Sequence, residues 1–241
     1  MAGPRTREEL RTSSILSFVT HLKTSILKYG NRKKGIIVLE IAMALRLKGI
    51  AGSEAIAEMT GRELDEVEGA LQTMVEAGHA QETPRGLRLL PEGKEWVDSL
   101  LDEEREGVDQ TLMNNIYEDF CLHNDTFKQL VTDWQIKIVA GEQVMNDHED
   151  ADYDAAIITR LEELDNAVQP VFTNAAELAP RLARYVERFS DALEKLQSGD
   201  GTYLAAPLKD SYHTVWFEMH EELILLSGRN RADEAAAGRG A

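Results

Sequence analysis

The sequence predicts a mainly α protein: a winged helix-turn-helix, three helices plus a short β-hairpin wing, followed by an all-helical domain. Three observations carry this. Apolar residues recur at helical spacing through most of the chain. Residues 79–96 (HAQETPRGLRLLPEGKEW) break that spacing with two short runs around Pro84–Gly86, the mark of a hairpin. Beyond residue 109 the helical spacing returns and holds to Gly228.

The expected elements follow in order. Leu10, Ile15, Phe18, Val19, Leu22, Ile26 and Leu27 stripe one face of a helix over 8–28, expected to pair with a second copy as a homodimer. Gly30 and Asn31 end it. Residues 35–49 form a strongly apolar helix. Residues 52–61 form a short one capped by Ser53 and closed by Gly61. A third, 62–78, carries Leu64, Val67, Leu71, Met74 and Val75 on one face. After the wing, Pro91 opens a helix over 92–108. The second half predicts helices at about 110–140, 151–168 and 179–197, with Pro170 as a break. A last helix is stopped by Gly228. The domains expected are a basic arm 1–34, the winged helix 35–108, the helical domain 109–228 and a disordered tail 229–241.

The 241 residues suffice for one large domain or two modest ones, and 43% apolar content supports a core. One cysteine, Cys121, excludes an intramolecular disulfide framework and fits a reducing cytosol. No apolar run reaches about 18 residues, so no membrane span is expected. The charged N-terminus lacks an apolar core of the secretory kind, and the protein is expected in the cytoplasm. Net charge is −17, which repels nucleic acid on average. The basic exceptions cluster at residues 1–34, including Lys33 and Lys34.

Two function-bearing regions stand out. In a winged helix the exposed face of the third helix enters the major groove. Here that helix offers Arg62 and Gln72 for reading DNA, helped by Arg85 and Arg88 on the wing and by Lys33 and Lys34 on the arm. Against them stand Glu63, Asp65, Glu66, Glu68 and Glu76, so DNA is disfavoured and docking to a protein competes. The other region is three polar–aromatic clusters: TDWQ (132–135), NDHEDADYD (146–154) and the last helix. Packed together, Asp133, Trp134, Asn146, His148, Tyr212, His213, Trp216, His220 and Glu221 would line one pocket for a small aromatic or carboxylated effector.

Metal chemistry is weakly signalled. Counted from Asp150, a calcium loop would need Gly and Glu where Ala155 and Leu161 stand. His213 and His220 lie two turns apart, about 10 Å, too far to share a metal without His123 or His148. HExxH, GxGxxG and GxxxxGK[ST] are absent, so no metal or cofactor is expected. An enzyme using His213, His220 and Glu221 as acid and base has the residue types but no nucleophile motif.

The stretch from GSEAIAEMTG through LDEVEGALQTMVEAGHAQE to TPRGLRLLPEGKEWV resembles the MarR-like regulators of bacteria. The clusters TDWQ, NDHEDADYD and DSYHTVWFEMHEELILLSG resemble the C-terminal region of a group of actinobacterial proteins. Some of these are labelled MarR-like. Others accompany, or are fused to, enzymes resembling phosphoenolpyruvate synthase and pyruvate phosphate dikinase. The resemblance implies one of two roles. One is a ligand-responsive transcriptional regulator. The other is an accessory or substrate-holding subunit of a phosphoenolpyruvate-utilising phosphotransferase.

Overall fold

The computed structural model describes residues 35–236 and residue 238. The basic arm, Lys33, Lys34 and the expected helix over 8–28 lie outside these residues. The described chain is mainly helical, and no helix in it is long and apolar enough to cross a membrane.

Helix α1 covers 35–48, and its residues 39–45 are buried on every side. That suits a segment apolar on nearly every side, with Glu40 its one charged residue. Next come α2 (Ser53–Thr60) and α3 (Leu64–Glu76), joined through Gly61 in the left-handed region. Val67, Leu71 and Met74 seat α3, leaving its opposite face in solvent. Strands β1 (Ala80–Thr83) and β2 (Gly86–Leu89) pair antiparallel with Ala80 opposite Leu89. Ala51 adds a third rung: its N–H donates to Leu87 O at 3.0 Å and its carbonyl accepts from Leu87 N at 2.8 Å. The backbone at Ala51 comes so close that a Cβ on Gly86 would sit 2.4 Å from the Ala51 carbonyl carbon. Only glycine fits there, and its φ of 123° asks for glycine as well.

Helix α4 (Pro91–Glu106) starts at Pro91, as the sequence predicts, and leads into α5 (Gln110–Gln135), capped by the Asp109 carboxylate. Here the structure departs from an all-helical second half. The helix expected to about 140 stops at Gln135. Strands β3 (Ile136–Val139) and β4 (Glu142–Met145) then form a second hairpin. Ala140 and Gly141 both take positive φ, 53° and 89°, the turn that matches strand twist in a two-residue hairpin. Helix α6 (Ala151–Leu178) runs straight through Pro170, where a break was expected. Pro170 is exposed, so its ring and missing N–H fall on the solvent side while Val168, Val171 and Phe172 hold the inner face.

A 3₁₀ turn (Pro180–Leu182) leads to α7 (Ala183–Gln197). A short α8 (Thr202–Ala205), α9 (Tyr212–Leu226) and α10 (Arg231–Ala236) follow. The tail expected to be disordered thus contains α10, whose Glu234 is buried and accepts a hydrogen bond from Tyr117 OH. Helix α9 is the axis of the second half. Around its Trp216 gather Phe120, Phe127, Phe172, Phe189 and Tyr212, with ring centroids 4.3–6.3 Å away.

Candidate functional site

The three polar–aromatic clusters do not form one pocket. TDWQ and NDHEDADYD meet at the root of the second hairpin and satisfy each other. Asn146 donates to Trp134 O at 3.0 Å and to Asp154 Oδ1 at 2.8 Å. His148 holds Asp154 at 2.9 Å through Nδ1 and packs on Trp134, ring centroids 4.5 Å apart. Asp133 accepts from Arg160 at 2.7 Å, and its carbonyl accepts from Tyr153 OH at 2.9 Å. Asp133, Trp134, Asn146 and His148 therefore pin β3–β4 onto α6. No hydrogen bond or ring contact joins these four to the candidates on α9 among the described residues.

On α9 the candidates part ways. Tyr212 is buried and donates to Asp165 at 2.8 Å; burial, then the Asp165 charge, push its hydroxyl pKa well up. Trp216 donates from its indole N–H to Asn124 Oδ1 at 2.9 Å. Glu221 holds Arg231 at 3.0 Å near the surface. His220 is fully buried between Tyr117 and Phe120, and neither ring nitrogen has a hydrogen bond. Burial, with Arg231 adding to it, pushes its pKa down to about 4, so it is neutral. His213 and Trp216 face a cleft, of about 250 Å³, between α5 and α9. Thr132 is the one member of TDWQ that reaches it. No group of three or more His, Cys, Asp and Glu able to hold a metal is found among the described residues.

The DNA-reading candidates are largely occupied. Arg62 donates from Nε and Nη2 to Glu40 Oε2, at 3.0 and 2.6 Å, and lies 3.7 Å from Glu66. Gln72 donates to Glu76 at 2.9 Å. Arg88 forks onto the Gln81 carboxamide across the hairpin. Arg85 is exposed at the hairpin tip. The solvent face of α3 is therefore Asp65, Glu66, Glu68, Gln72 and Glu76, with no unpaired base among them.

A seam of buried charge, which the sequence reading did not single out, joins the two halves. Arg181 Nε holds Glu104 of α4 at 2.9 Å, and its Nη1 holds Glu222 of α9 at 2.7 Å. Arg188 pairs with Glu218 at 2.6 Å and Asp210 at 2.8 Å. Lys48 of α1 closes on the same two acids, at 3.1 and 3.2 Å. The side chains of Arg181 and Arg188 are 1% and 2% exposed. Burial alone would lower the pKa of each, but the paired carboxylates outweigh it and leave both held firmly charged. Burial raises the Glu222 carboxyl, against the pull of Arg181. For Asp210 burial pushes upward too, but Arg188 and Lys48 prevail and lower it. A signal for the seam was present: Glu218 and Glu222 sit one turn apart on an otherwise apolar helix, and Arg181 and Arg188 sit seven residues apart.

No family model matches the chain, and no curated protein or solved structure matches it either.

Proposed function

We propose that this chain is an interaction protein in which residues 35–108 are a winged helix used to dock a basic protein surface rather than to read DNA. One observation carries this reading: the solvent face of α3 presents acids, while its candidate reading residues, Arg62 and Gln72, are engaged by Glu40 and Glu76. In water a carboxylate about 7 Å from a phosphate costs roughly 0.6 kcal/mol. Over Asp65, Glu66, Glu68 and Glu76 that amounts to roughly 2–3 kcal/mol against a groove-bound pose. A basic protein surface turns the same charges into attraction and steering. The resemblance to proteins that accompany phosphoenolpyruvate-utilising phosphotransferases makes such an enzyme the first partner to try.

Two features support the runner-up, a ligand-responsive transcriptional regulator. The helical half does not cover α3, and Arg85 is exposed at the wing tip. Fluorescence anisotropy with the chain's own upstream DNA, over a salt series, separates the readings. The docking reading expects no saturable binding even at low salt. It also expects capture of the phosphotransferase that is lost in Asp65→Lys/Glu68→Lys. Tight DNA binding that weakens steeply with salt overturns it in favour of the regulator.

A further inference from the structure

We infer that the cleft between α5 and α9 is a binding site for an uncharged, single-ring aromatic molecule carrying a hydrogen-bond acceptor. It stands apart from the docking reading, since nothing in it involves α3 or the wing. The cleft has a built floor and matched walls. Trp216 and Phe127, stacked with centroids 4.3 Å apart, form the floor, and Phe217, 40% exposed, stands at one side. Its volume, about 250 Å³, falls below the roughly 300–1,000 Å³ of sites for drug-sized ligands, which suits one ring.

The polar groups define the rest. Asn124 is 2% exposed, and its carbonyl oxygen is taken by the Trp216 indole N–H at 2.9 Å. Its amide NH₂ makes no hydrogen bond among the described residues, yet it belongs to a side chain lining the cleft. That NH₂ is not fully buried, so solvent reaches it and it is available to donate to a guest that displaces the water. His213 is half-buried on the same cleft, likewise without a hydrogen bond, and offers one donor and one acceptor. Together they match a carbonyl with a neighbouring N–H or O–H.

Charge argues for a neutral guest. Among the described residues Lys128 is the only Lys or Arg lining the cleft, and it shares an exposed i,i+3 ion pair with Asp125 at 3.0 Å. Burial lowers the His213 pKa, which keeps that ring uncharged. The one cation lining the cleft among the described residues is thus already shared, which favours an uncharged guest in a protein whose net charge is −17.

Benzamide is the probe. It is titrated into the full chain while the Trp216 indole N–H is followed by ¹H–¹⁵N NMR. Trp96→Phe and Trp134→Phe identify that signal by elimination. The expected result is a saturable shift with a Kd of roughly 0.1–1 mM, well within what so small a ligand can reach. His213→Ala, which removes no existing hydrogen bond, should weaken it about tenfold. Thr132→Phe, at the exposed rim, should abolish it by filling the cleft. Benzoate should bind at least about tenfold more weakly than benzamide. Absence of saturable binding overturns the site. Binding that survives Thr132→Phe places it elsewhere and overturns it equally. Benzoate binding as tight as benzamide overturns the assignment of an uncharged guest.

Discussion

Arg181→Met should be among the most damaging single substitutions in this protein. Its guanidinium sits in a side chain that is 1% exposed and holds both Glu104 and Glu222, whose side chains are 13% and 3% exposed. Removing the arginine leaves two carboxylates facing each other with little water to solvate them. Breaking a buried pair in this way costs about 3–5 kcal/mol. In a domain of this size that lowers Tm by roughly 6–20 °C. Urea unfolding followed by far-ultraviolet circular dichroism gives the number. A second variant, Arg181→Met/Glu222→Leu, removes the stranded charge and should recover about half of the loss. The pH dependence has a definite sign. Burial already raises the Glu222 carboxyl above its ordinary 4.5. A group raised in the folded state contributes its full stability below its unfolded value and loses it as pH rises through the folded one. Losing Arg181 raises the folded value further, so the penalty should grow as pH rises above 4.5. A loss under about 1 kcal/mol, unchanged with pH, would refute the view that opposite charges close the seam.

Two further outcomes are expected. His220 is neutral and buried with a pKa of about 4 against an ordinary 6.5, so its contribution is full above 6.5 and is lost as pH falls toward 4. The loss is about 3 kcal/mol at most. His220→Phe should flatten the fall of Tm over that window, and an unchanged pH profile in the variant would show that other groups cause the fall. Gly93→Ala should destabilise the 35–108 half by at least about 1–3 kcal/mol, because its Cβ would lie 1.9 Å from the His79 carbonyl oxygen. Fluorescence of Trp96, stacked on His79 at 4.5 Å, reports that half directly, and a cost under about 0.5 kcal/mol would contradict the crowding.

Local signals were legible because they are local. Pro91, Gly61 and the Pro84–Gly86 turn each act through their own backbone, and the structure places element ends within about two residues of them. The second hairpin went unread although IKIV and AG were its signals, since Ile136 and Ile138 also continue the apolar pattern of α5. Pro170 misled for a different reason. Tertiary packing of Val168, Val171 and Phe172 keeps α6 helical where propensity alone says stop. Site residues were harder still. That Asn146 would serve the hairpin root, and Tyr212 a buried Asp165, depends on which helices become neighbours. Asn124 gave no sequence signal at all, because its importance lies in facing Trp216 from another helix, 92 positions away.

The buried seam also constrains how the two halves can move. Apolar surfaces can slide past one another by fractions of a side chain at small cost. A guanidinium forked between two carboxylates cannot, because each intermediate position strands a charge. The join between the halves, Arg181 on Glu104 and Lys48 on Asp210 and Glu218, should therefore behave as a latch, engaged or released, and not as a graded hinge. Amide hydrogens in α4, α7 and α9 beside it should exchange as one cooperative group.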